Sequence, residues 1–104
     1  MAHIHVTAIL PAKPGSEALV REALTTLAAA TRRDEPGCVS YDLYESQAAP
    51  GTFITLEVWK SKADLDGHMK TPHIAAALKV AGPHLAGPPQ IHPLAPVDVT
   101  AHEG

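Results

Sequence analysis

The sequence predicts a small α+β domain in which an antiparallel sheet is covered by helices on one face. Three observations carry this. Three stretches alternate apolar and polar residues with period two, one stretch repeats apolar residues at helical spacing with capped shorter helical pieces further on, and a last apolar stretch is interrupted by prolines. With 104 residues the chain has room for one domain and a modest core.

The first stretch, HIHVTAIL, sets Ile4, Val6, Ala8 and Leu10 on one face and His3, His5, Thr7 and Ile9 on the other, which is the pattern of a strand. PAKPG breaks it. Ser16 is placed to cap a helix whose first turn carries Glu17, and Leu19, Val20, Ala23, Leu24, Leu27 and Ala30 form its apolar stripe. Pro36 and Gly37 in RRDEPG end it. CVSYDLYES then alternates Val39, Tyr41 and Leu43 with Ser40, Asp42 and Tyr44. After the turn QAAPG, TFITLEVWK alternates Phe53, Thr55, Glu57 and Trp59 with Ile54, Leu56 and Val58, so the two runs form a hairpin. Ser61 with Asp64 opens a short helix from about Lys62 to Lys70. Thr71 and Pro72 start a second helical piece, PHIAAALKVAGPHL. A final strand is expected around Ile91 to Val97, held to an edge by Pro93 and Pro96.

Strand, helix, strand, strand, helix, strand is the split βαβ order of ferredoxin-like domains. Residues 3–97 are expected to form this one domain and residues 98–104 a flexible tail that includes His102. Both faces of the hairpin carry large apolar groups, yet helices can cover only one. The other face is therefore expected to pack on a second copy, giving a homodimer joined sheet to sheet.

Eight basic residues against eleven acidic ones give a formal charge of -3, and the pair Arg32-Arg33 is followed at once by Asp34 and Glu35. Neither nucleic acid nor an anionic membrane is an expected partner. The chain lacks an apolar run of spanning length and the features of a secretion signal at MAHIHVTAIL, so a cytoplasmic location is expected. Cys38 is the single cysteine, which excludes an intrachain disulfide, and its place at a strand start suits a small buried hydrophobe better than a nucleophile.

In EVWKSKADLDGHMKTPHI, Trp59, His68 and His73 lie close together in a chain with one Trp, one Phe and two Tyr. His68 and His73 are five residues apart, so an unbroken helix would point them in different directions. The break at Thr71-Pro72 can re-aim His73 so that both imidazoles reach one cavity. Trp59 with Tyr41 or Tyr44 could wall that cavity, and Glu57, on the Trp59 face, must be paired if buried. Packing alone is the plainer account of the same residues. His3 and His5 share a strand face, but no third ligand is evident at a matching spacing, and no metal is expected.

The segments EPGCVSYDLYES and LEVWKSKADLDGHMKTPHI, with Gly37, Tyr41, Glu45, Glu57, Trp59, His68 and His73, resemble the antibiotic biosynthesis monooxygenase family from about His3 to Pro96. The resemblance implies a dimeric α/β barrel of ferredoxin-like units. It also implies oxidation of a small phenolic or quinol-type substrate by O2 without metal, flavin or other cofactor. His68 and His73 are the expected catalytic residues, and Trp59, Tyr44, Tyr41 and Glu57 the expected substrate contacts. O2 reacts slowly with organic molecules because it is a triplet, so a cofactor-free route must make the substrate the electron donor by removing its proton. Histidine, with an ordinary pKa near 6.5, suits that task. The haem-degrading relatives use an Asn in the first strand, absent here, and a Trp where this sequence has His68, which argues against haem. A non-oxidative isomerase or lyase, or a dimeric binding module, stands as the alternative.

Overall fold

The computed structural model describes residues 3–100. Its elements are β1 (Ile4–Pro11), α1 (Glu17–Asp34), β2 (Cys38–Glu45), β3 (Thr52–Trp59), α2 (Lys62–His68), α3 (Pro72–Ala81), a 3-10 turn at Gly82–His84, and β4 (Gln90–Leu94). The strands form one antiparallel sheet in the order β2-β3-β1-β4, the ferredoxin-like arrangement expected from the element order. No helix among the described residues is long and apolar enough to cross a membrane. His102 and the end of the tail lie outside the described residues.

Each strand presents its alternating set as the sequence indicates, with one exception. Val6, Ala8 and Leu10 of β1 and Phe53, Thr55, Glu57 and Trp59 of β3 are buried under the helices. In β2 the register slips between Cys38 and Ser40, leaving Val39 as the extra residue of a bulge. Cys38, opposite Trp59, packs on the core, and Val39 is exposed instead of sharing the Tyr41 face. Pairing partners, which a strand's own alternation does not specify, decide this.

The caps also differ in part. Ser61 Oγ accepts the Asp64 amide and Thr71 Oγ accepts the Ile74 amide, as their positions suggest. Ser16 occupies the cap position of α1, but its hydroxyl pairs with His84 Nδ1 at 3.0 Å. Gly51 closes the β2–β3 hairpin at φ 87°, a left-handed conformation that glycine adopts without strain. The last strand stops at Leu94 and pairs only with β1, so it is the edge strand that its prolines require.

The interior is divided. Ala8, Leu10, Val20, Leu24, Leu27, Phe53 and Ile74 pack at one end, and Val6, Ala28, Tyr41, Trp59 and Leu65 at the other. The β3 sequence explains the division, because Thr55 and Glu57 place polar groups between Phe53 and Trp59 along the helix-facing stripe. Outward, the sheet exposes Val39, Tyr44, Leu56 and Leu94, an apolar surface with no helix over it.

Candidate active site

The polar interruption on β3 is internally satisfied. Glu57, 6% exposed, accepts from Trp59 Nε1 at 2.9 Å and from the Thr55 hydroxyl at 2.6 Å, and Thr55 Oγ accepts the Ala8 amide at 2.9 Å. Glu57 is thus a structural acceptor whose partners are side chains of its own strand, and no histidine bonds to it. Trp59, fully buried, has its only polar side-chain atom used in this way.

The carboxylate that meets the histidines is Glu35, which no sequence motif singles out. It is the C-cap of α1, and Pro36 after it restricts its backbone to the extended region, observed at φ -112° and ψ 100°. From there one carboxylate oxygen reaches His68 Nδ1 at 2.7 Å and His73 Nε2 at 2.6 Å. The break between the two helices makes this convergence possible. Thr71 Oγ donates to the His68 carbonyl at the end of α2 and accepts the Ile74 amide in the first turn of α3, pinning the change of direction. His68 is buried, while His73 keeps 18% of its side-chain surface and Glu35 12%.

A carboxylate oxygen has no proton to give, so each facing ring nitrogen donates. This places the proton of neutral His68 on Nδ1 and leaves a lone pair on Nε2. The His68 ring lies 4.5 Å from the Trp59 ring and 5.7 Å from the Tyr41 ring, centroid to centroid. Among the described residues neither His68 Nε2 nor the Tyr41 hydroxyl has a hydrogen-bond partner, and neither is an enclosed orphan, so both retain accessible surface.

Both side chains line a cavity of about 60 Å³ between the helices and the sheet, with Thr55, Glu57 and Leu65 in its wall and Met69, Leu78 and Ile91 at its exposed rim. That is room for about four or five waters, well below the roughly 300–1,000 Å³ of most ligand pockets. A larger hollow of about 400 Å³ is an open groove between α1 and α3, lined by Leu19, Leu27, His73 and Val80. The smaller cavity is where the polar groups converge, so size alone misdirects here.

Burial, then the negative charges of Glu57 and neighbouring groups, push the Tyr41 phenol well above its ordinary value, so it remains a donor at physiological pH. The Cys38 thiol is also pushed up, first by burial and then by Glu35 and Glu57, which fits a packing role. Of the expected site residues, the fold brings together Tyr41, Glu57, Trp59, His68 and His73. Tyr44 lies on the outer face of the sheet, more than half exposed and apart from them. The one group of His, Cys, Asp or Glu side chains able to converge on an ion, among the described residues, is Glu35, His68 and His73. Among the described residues, no such group includes His3 or His5.

Comparison with known proteins agrees with this architecture. The family model described as antibiotic biosynthesis monooxygenase matches residues 3–80. A Mycobacterium tuberculosis protein named "Putative monooxygenase Rv0793" is 35% identical over 86 residues, 83% of each chain. Its solved structure superposes with a TM-score of 0.83, at 33% identity over 93% of this chain and 97% of that one. A Caulobacter crescentus structure described as a "putative antibiotic biosynthesis monooxygenase" gives a TM-score of 0.85 at 34% identity, covering 92% and 91%. An uncharacterized Synechocystis protein is 39% identical over 59 residues, and the match spans 57% of this chain but only 40% of that longer protein. The fold, the family match and these relatives together make the chain a member of the antibiotic biosynthesis monooxygenase family.

Proposed function

We propose that the chain is a cofactor-independent monooxygenase that oxidises a small phenolic or quinol-type molecule with O2, using His68 as base. The observation that carries this is the orientation of His68: buried beside the cavity, with Nδ1 held on Glu35 and the Nε2 edge unpartnered. Nε2 takes the phenolic proton, and the imidazolium formed is stabilised by Glu35. The Tyr41 hydroxyl donates to the substrate oxygen as it becomes anionic. The phenolate passes one electron to O2, the two radicals join through a carbon–oxygen bond, and the peroxide loses water. For a hydroquinone the balance is one O2 consumed, one oxygen retained in a hydroxyquinone and one released as water.

The cavity as it stands holds O2 and a few waters, less than a substituted ring needs. A ring enters by displacing Met69, Leu78 and Ile91, which are about two-fifths exposed at the rim. This favours a single-ring substrate over a polycycle. The outward apolar face of the sheet is proposed to join two such chains.

A second reading rests on the same Tyr41–His68 pair. A base beside a protonated phenol also suits enolisation of a small carbonyl compound, without O2. Oxygen uptake with a panel of hydroquinones separates the two. The native chain is expected to consume O2, His68→Gln and Glu35→Gln to lose about 10²–10⁴-fold in rate, and Tyr44→Phe to match the native chain. Equal rates in native and His68→Gln proteins would remove the assignment.

A further inference from the structure

We propose that Glu35, His68 and His73 also form a binding site for a first-row divalent transition ion of the zinc type. One donor atom from each lies within 4.8 Å of the others. Two imidazoles and a carboxylate form a donor set that suits zinc, copper, nickel or iron, and disfavours calcium and magnesium, which prefer oxygen alone. The ligands come from three separate segments, the end of α1, the last turn of α2 and the first turn of α3, and the fold holds them in place before any ion arrives.

The N···O spacings of 2.7 and 2.6 Å are those of hydrogen bonds. An ion bonded at about 2.0–2.1 Å to each donor replaces the two bridging protons and needs the donors about 3.3 Å apart. The two N···O distances must therefore open by about 0.6–0.7 Å. His68 is fixed by its packing on Trp59, but His73 and Glu35 retain side-chain surface and can give way. Access is present as well. A hollow of about 200 Å³, lined by Asp34, Glu35, Gly37, Ala63, Gly67 and His68, reaches the cluster from outside. It offers an entry path and space for a water as fourth ligand, and nothing would stand within 4 Å of a Cβ at Gly67.

Occupancy has a chemical consequence that rests on the function proposed above, although binding itself does not. A neutral imidazole bears one proton. When Nδ1 of His68 binds an ion, that proton resides on Nε2, and the lone pair assigned to the base is lost. The ion therefore silences the base.

The test is calorimetric titration of the whole chain with Zn2+, with Co2+ visible absorption as a second probe of coordination. It compares the native chain, Glu35→Gln, His73→Ala, and His92→Ala, which removes an exposed histidine of β4. Far-UV circular dichroism checks that each variant is folded. One equivalent per chain is expected in the native and His92→Ala proteins. The dissociation constant should rise at least about 10–100-fold in Glu35→Gln and His73→Ala, the range that supporting residues alone carry. No binding at millimolar Zn2+, or equal affinity in all four proteins, overturns the site. Oxygen uptake separates this from the function. Zinc binding without hydroquinone oxidation by the metal-free chain leaves the site standing and removes the monooxygenase reading. Oxidation without zinc binding does the reverse.

Discussion

Replacing Glu57 by leucine tests whether the polar break in β3 is held by its acceptor. The carboxylate receives protons from Trp59 Nε1 and the Thr55 hydroxyl, and Trp59 is fully buried, so its N–H has no water to turn to. Leucine is similar in size but accepts nothing, which strands two donors at about 1–3 kcal/mol each. Its own burial returns about 1.5 kcal/mol. The net loss is about 2–3 kcal/mol, which lowers the melting temperature of a domain this size by about 10–20 °C. Glu57→Gln keeps an oxygen for the indole and should cost about 1 kcal/mol. Urea melts followed by fluorescence of Trp59, the single tryptophan, at fixed protein concentration, measure both. A leucine variant as stable as the native chain would refute the claim that these bonds hold the interior together.

A Cβ at Gly37 would land on the Asp64 side chain, whose carboxylate accepts the Ser61 hydroxyl at the start of α2. Gly37→Ala should therefore cost about 1–3 kcal/mol in the same urea melts. Because the folded Tyr41 phenol holds its proton more tightly than the unfolded one, stability is complete below about pH 10 and falls by about 1.4 kcal/mol per pH unit above it. Tyr41→Phe should remove that slope in alkaline melts, and in Tyr44→Phe no tyrosinate absorbance should appear before unfolding. If two chains join through the sheet, sedimentation should show a native dimer and a monomeric Leu56→Asp variant. A native chain that sediments as a monomer ends that proposal.

Much of the fold can be read from local pattern, because each element carries its own period and its own stop. Phe53, Thr55, Glu57 and Trp59 declare one strand face, and Thr71-Pro72 declares the helix break. What is not legible depends on contacts between distant segments. Val39 is displaced by a register slip that exists only once β2 meets β3. Glu35 meets histidines 33 and 38 residues away, so in the sequence it reads as one more charge after Arg32-Arg33. A usable signal is present all the same: the residue before Pro36 is confined to an extended backbone, and an acidic side chain fixed in that way is aimed. The opposite disposition of Tyr41 and Tyr44 follows from alternation alone, but which tyrosine faces inward depends on where the helices pack.

The hollow beside His68 has a thermodynamic cost. At about 24 cal/mol per Å³ for a sealed void, 60 Å³ sets an upper bound of about 1.5 kcal/mol on what filling it would return, an appreciable share of the stability of a domain with so small a core. Selection for heat resistance alone would close it, and Ala8→Val, on a cavity-lining strand position, is an obvious route. A thermostabilised descendant obtained by such filling would be sturdier and, with no room left for a guest beside the imidazole, would lose the oxidation proposed above.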